Sequence, residues 1–235
     1  MLLAAMVWSL GGVFSRMLDI SDNWTVVFWR SFWAAAFLIA YMLQREGLRG
    51  TRTLFSCMGW PGFGVGLCFA IASSAFVVAL SYTTVANVLL VQAGVPLFAA
   101  LMTWVLFRER IGTATWVAIL AVIVGVGLMV SESLTGTLSP VGSALALLVA
   151  LSFACATVIS RRYAHVRMAP AVCLGTVMAG ALAAGLSSGL AVSAPDMLVL
   201  VGFGALNLGL GMALFVAGVR LVPAAVAALI STVEP

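Results

Sequence analysis

The chain contains no lysine, has one histidine (His165) and is only 8% charged over 235 residues, where soluble domains carry roughly a quarter charged residues. These shortages exclude several classes. With a single histidine, zinc clusters and His-based nucleophiles lack their components, so no metal is expected. The four cysteines, Cys57, Cys68, Cys155 and Cys173, show no C-x-x-C spacing and read as small packing residues rather than a disulfide framework. Gly62, Gly64 and Gly66 follow no strand, so they form no dinucleotide loop, and no cofactor is implied. The alternating pattern of a β-barrel is missing. The net charge of +4 is not gathered into a stripe, which argues against a nucleic-acid partner.

What is present is apolar. Hydrophobic residues make up 64% of the chain, more than a soluble globule of this size can hide. In lipid, ~20 consecutive mainly apolar residues suffice to cross the hydrocarbon core. Uncharged runs predict helices near 2–17, 24–43, 57–80, 84–106, 112–131, 141–160, 169–190, 197–218 and from 223 to the end. The fold class is therefore an all-α polytopic membrane protein with about nine helices, the last cut short. The first run has no basic leader and no small-x-small cleavage site, so it reads as a helix, not a signal peptide.

The arginines supply a topology signal. Arg45, Arg49 and Arg52; Arg108 and Arg110; Arg161, Arg162 and Arg167; and Arg220 lie in alternate connections. The intervening ones hold Asp19, Asp22, Glu132 and Asp196, with Arg16 as their one cation. Because arginine-rich connections stay cytoplasmic, the N-terminus is expected inside, in a multi-pass protein of the cell inner (plasma) membrane. The lack of lysine fits a high-GC, bacterial genome.

The stretch "ALSYTTVANVLLVQAGVP" (79–96) aligns without gaps on "GVRLVPAAVAALISTVEP" (218–235), an offset of 139 residues (235 − 96). Such an offset contains five helices, an odd number, so the second copy enters the membrane from the other side. This makes two inverted repeats, 1–135 and 136–235, with a binding site expected near the midplane between them. Pro96 and Pro235 would each interrupt a helix at the same point of its repeat. After Pro96 the first copy runs on for 35 residues to Ser131 (131 − 96), and the second stops, so a C-terminal truncation of a ten-helix protein is expected.

These residues carry a resemblance. The order of "AAMVWSLGGVFSR", "VFWRSFWAA", "ALSYTTVANVLL" running into a proline, "WVLFRERI" and "LISTVEP" resembles the EamA-type permeases of the drug/metabolite transporter superfamily along the whole chain. "WVLFRERI" departs from the usual form, in which a glycine precedes the Glu; Arg108 stands there. The resemblance implies two five-helix repeats, a central cavity and movement of small polar metabolites by alternating access. It implies no particular substrate; an amino acid or related compound is the expected kind.

Polar groups within spans are costly and mark candidate sites. Glu234 falls ~16 Å along its helix from Pro223, near the bilayer centre. It is a candidate to titrate as a proton-coupling group, to receive a cationic substrate, or to serve a structural hydrogen bond. Arg30 lies ~9 Å inside the boundary marked by Trp24, a depth that favours snorkelling outward over facing the cavity. If it faces inward, its guanidinium suits a carboxylate or phosphate. Asn87, Gln92 and Asn207 are amides at intermediate or central depth, read either as interhelical hydrogen bonds or as substrate contacts. Trp8 is read as interface packing or cavity wall. Tyr82, at a helix end, is read as belt anchor or gate, its position favouring the anchor. Small-residue stripes at Gly62, Gly66, Ala70 and Ser74, at Ala181, Gly185 and Gly189, and at Ala205, Gly209, Ala213 and Ala217 predict packing seams.

The function expected is a secondary transporter and not an enzyme, with a small molecule and the lipid bilayer as partners. A proton is the candidate coupling ion, and a homodimer the candidate assembly. An integral-membrane enzyme would need a nucleophile and base within reach of each other, which the sequence does not display. A non-transporting scaffold would lack a water-accessible cavity.

Overall fold

A computed structural model describes residues 2–20, 22–108, 116–117, 120–121, 124–125 and 139–219, and these are helical or in short connections, with no strand among them. Six helices among the described residues are long and apolar enough to cross a membrane. The chain is a multi-pass membrane protein.

The first expected span is broken. Helices α1 (Leu2–Ser9) and α2 (Gly11–Arg16) meet at Leu10. Asn207 Nδ2 donates to the carbonyls of Val7 (2.6 Å) and Trp8 (3.3 Å). A continuous helix would offer those two carbonyls to the N–H groups of Gly11 and Gly12. Glycine holds a helix poorly, so the competing donor prevails there.

Helix α3 (Asn23–Cys57) runs well past the expected end at 43, through Arg45, Arg49 and Arg52. Gly47 divides it with φ 68° and ψ 179°, a backbone that glycine adopts without strain. The apolar-run criterion stops at the first charges, whereas the helix only changes direction two residues later. Helix α4 (Gly59–Ala79) matches its expected span.

The next span is split into α5 (Val85–Gln92) and α6 (Val95–Phe107), with the break at Ala93 and Gly94 immediately before Pro96. Proline lacks the N–H that would continue the ladder, so it falls in the first turn of the new helix. Of the fifth expected helix only the six residues 116–117, 120–121 and 124–125 are described, all helical. Trp116 packs edge-on against Trp104 of α6, centroids 5.0 Å apart.

Helix α7 (Pro140–Arg162) and helix α8 (Ala169–Leu186) follow. The latter stops short of the expected end at 190, because Ser188 gives its N–H and hydroxyl to Asp22 instead of continuing the ladder. Helix α9 (Ala194–Val201) then leads into a π-helical segment (Gly202–Leu210) and on to α10 (Gly211–Val219). The ninth expected helix, with Glu234 and Pro235, lies outside the described residues.

Small residues set the packing. A Cβ on Gly175 would strike the Gly66 carbonyl at 2.5 Å, and one on Gly66 would reach the Ala171 carbonyl at 2.8 Å, so α4 and α8 touch backbone to backbone. That is how helices associate where lipid offers no hydrophobic driving force. All four residues of the stripe Gly62, Gly66, Ala70 and Ser74 are buried. The stripe Ala181, Gly185 and Gly189 is instead exposed, and a Cβ added to Gly185 or Gly189 would meet nothing within 4 Å. In the π segment the seam is Gly204 and Gly209, against Arg30, Trp33 and Phe37 of α3, not the expected Ala205 and Gly209. The wider π turn brings every fifth residue, not every fourth, to one face.

Charges separate to the two ends of the bundle. Arg167 pairs with Glu46, and Arg162 lies 5.4 Å from the Phe107 ring, which gathers the charged part of α3, the end of α6 and the connection after α7 at one end. At the other, Asp22 accepts from the Ser188 N–H (3.0 Å) and hydroxyl (3.1 Å), Thr25 donates to the Gly189 carbonyl (2.6 Å), and Asn23 donates to Ser81. The first is the arginine end of the bundle and the second its acidic end.

Candidate functional site

Between the ends a cavity of about 80 Å³ opens among α1, α3, α4, α5, α7 and the π segment. Four of the residues singled out in the sequence line it: Trp8, Arg30, Gln92 and Asn207. Each reaches the cavity for a local reason. Asn207 sits mid-way through the π segment, and its amide ties that segment to the α1–α2 break. Gln92 is the last residue of α5, so the interruption before Pro96 places it at an open helix end. Its amide has no hydrogen-bond partner among the described residues. Trp8 packs its indole at 5.4 Å from Phe215 and 5.6 Å from Phe153. A Cβ on Gly211 would overlap the Trp8 Nε1, so only glycine there admits the ring.

Arg30 departs from the outward snorkelling expected of its depth. It is 3% exposed and turned inward, with Nη2 donating to the Ser73 carbonyl (2.8 Å) and hydroxyl (2.5 Å). Its guanidinium carbon lies 5.0 Å from the Phe203 ring centroid and 5.9 Å from that of Phe76. Buried and desolvated, such cation–π contacts contribute roughly 2 kcal/mol. The Nε–H has no acceptor among the described residues.

Tyr82 and Asn87 do not line the cavity. Tyr82 is 51% exposed in the turn at the acidic end. Asn87 donates to the Thr83 hydroxyl at 3.0 Å, and its N–H caps onto Thr84. Its amide is thus spent on the start of its own helix. Glu234 lies outside the described residues. Sequence reasoning did not single out Ser73, Phe76 and Phe153, which also face the cavity. Ser73 carried a signal, a hydroxyl within an apolar span in "IASSAF". The two phenylalanines carried none, since aromatic residues recur in every span.

A second recess adjoins this one toward the acidic end. Arg16, Asn23, Ser81, Thr83 and Thr84 line it, and Phe203 forms part of its wall. Phe203, whose ring lies 5.0 Å from the Arg30 guanidinium carbon, lines the recess, while Arg30 and Phe76 line the central cavity.

Six apolar spans are present among the described residues, and the cavity between them is lined by Arg30, Gln92 and Asn207 as well as by apolar groups. The family model for EamA-like transporters matches residues 1–131, more than half of the chain. The chain belongs to the EamA-like transporter family. It is thereby a membrane transporter of the drug/metabolite type, whose partners are a small-molecule substrate and the lipid bilayer, and the members of this family are transporters rather than enzymes. A crystal structure of another protein is similar to this EamA-like chain with a TM-score of 0.72 and 20% identity, covering 99% of this chain and 82% of that one. At that identity the likeness concerns the fold. No curated protein matches this EamA-like sequence.

Proposed function

We propose that this EamA-like protein carries small polar metabolites, such as amino acids or related compounds, across a bacterial inner membrane by alternating access. The observation that carries the reading is the central cavity, where residues 1–135 contribute Trp8, Arg30 and Gln92 and residues 136–235 contribute Asn207. In this reading those two parts are inverted repeats that rock about the site. Their contacts support it, because they come in matched pairs. The packing of α4 on α8 is mirrored by that of α3 on the π segment, and that of α4 on α7 by that of α1 on α10 and the π segment. The helix break before Pro96 is the kind of interruption that marks a transporter site. The arginine end is cytoplasmic, which puts the N-terminus inside. Glu234 is the proposed proton-coupling group, and a homodimer the proposed assembly.

Two experiments test this. Flux of radiolabelled amino acids and related metabolites is measured in proteoliposomes, with and without a pH gradient, for the whole protein and its Glu234→Gln variant. Flux that follows the gradient in the wild type and ignores it in the variant is expected; identical pH dependence removes Glu234 from the mechanism. Cysteines placed at Arg49 and Arg162 should label from the cytoplasmic side alone. Labelling from opposite sides would sink the topology.

A further inference from the structure

Among the described residues no carboxylate lines the central cavity that Arg30 faces. Arg30 is 3% exposed, its Nη2 is engaged by Ser73, and its Nε–H is left without an acceptor among the described residues. Among the described residues the only ion pair joins Arg167 to Glu46, at the arginine end. Asp22, on the same helix cap as Arg30's own helix, spends its carboxylate on Trp24, Thr25 and Ser188. A guanidinium does not lose its proton in a protein, so it cannot escape burial by neutralising. An uncompensated buried charge is strongly destabilising. Aromatic faces and one serine offset part of that cost and leave donors to spare.

The group that fits those donors is a carboxylate, which accepts two parallel N–H bonds from a guanidinium. One cation in the cavity balances one negative charge; a phosphate dianion would leave an excess charge against walls made of Trp8, Leu89, Val149 and Phe153. The same apolar walls call for an apolar body on the ligand. We infer that Arg30 seats the carboxylate of a monoanionic metabolite whose apolar body lies against Trp8 and Phe153. This names a substrate class for the transport reading above and rests on it, but its test is binding rather than flux.

The whole protein in detergent is titrated with 3-phenylpropanoate, with the neutral 3-phenylpropanamide and with 2-phenylethylamine, and binding is followed by intrinsic tryptophan fluorescence. The acid should bind on the order of 10- to 100-fold more tightly than the amide, the range expected for a hydrogen bond to a charged group. The amine should not compete. Arg30→Gln should bring acid and amide to within about twofold of one another, and Arg30→Lys should keep part of the preference. Should the glutamine variant fail to fold, the comparison of acid with amide in the wild type still decides. Equal binding of acid and amide, no binding of either, or a preference that survives in a folded Arg30→Gln overturns the inference. Selective binding without flux in proteoliposomes sinks the transport reading and spares this one; flux without selectivity does the reverse.

Discussion

At the acidic end the helices that begin there carry side-chain caps: Asp22 for α3, Thr84 for α5, Ser139 for α7 and Ser193 for α9. At the arginine end Met58 and Met168 precede α4 and α8 and supply none. The connections differ in the same sense. Asp22, Thr25 and Trp29 hold residues 188–190 by directional hydrogen bonds, whereas Arg167 and Glu46 form an exposed ion pair. The first kind of contact keeps its geometry in water, and the second contributes ~1 kcal/mol or less and weakens with salt. Separating the helices therefore costs more at one end than at the other.

The largest test of that contrast is Asp22→Ala. It removes a helix cap and the acceptor for both Ser188 donors, so about 2–3 kcal/mol of stability should be lost, read as a fall in melting temperature in detergent. The same residue makes the contrast depend on pH. Burial pushes the Asp22 carboxyl up, but hydrogen bonds from the Ser188 backbone, Thr25, the Trp24 backbone and the Ser188 hydroxyl outweigh it and hold the group below the usual carboxylate range. A depressed carboxyl stabilises the fold above its unfolded pKa, and the gain disappears as pH falls through the folded one. The gap in melting temperature between wild type and Asp22→Asn should thus be constant at neutral pH and close on acidification below about 4. A gap that widens in acid would contradict this.

A smaller effect is expected at Ser193, whose hydroxyl caps α9 by accepting from the Asp196 N–H at 3.3 Å. Ser193→Ala should cost ~1 kcal/mol. Smallest of all, Arg167→Ala at the arginine end should shift stability by less than ~0.5 kcal/mol, and less still in high salt. If Arg167→Ala proved as costly as Asp22→Ala, the two ends would not differ as described.

The six spans among the described residues, their order and the helix break at Pro96 were legible because each depends on composition along the chain. Which way a residue faces was not. In a helix that is apolar all round, nothing in the sequence distinguishes one side from another, so depth alone placed Arg30 outward when it points in. For the same reason the stripe at Ala181, Gly185 and Gly189 looked like a seam and proved to be exposed. Asn207 and Gln92 reach the cavity through breaks in regular helix geometry. One of these, at Pro96, announces itself. The other, the π segment, has no comparable marker, and its glycines are equally at home in an ordinary helix. Asn87 is the opposite case, an amide at a suitable depth that lies off the cavity and donates to a neighbouring threonine.

The π segment also affects the phase of everything beyond it. Each residue of an α-helix turns its successor by about 100°, and one of the wider π turn by less, so relaxation of Gly202–Leu210 to the commoner ladder with no residue removed would rotate everything beyond it. The repaired helix would be regular and wrong. Met212 and Phe215 would swing away from the Trp8 indole, and Gly211 would no longer lie beneath it. At this point of the chain, local regularity and a working cavity are competing demands.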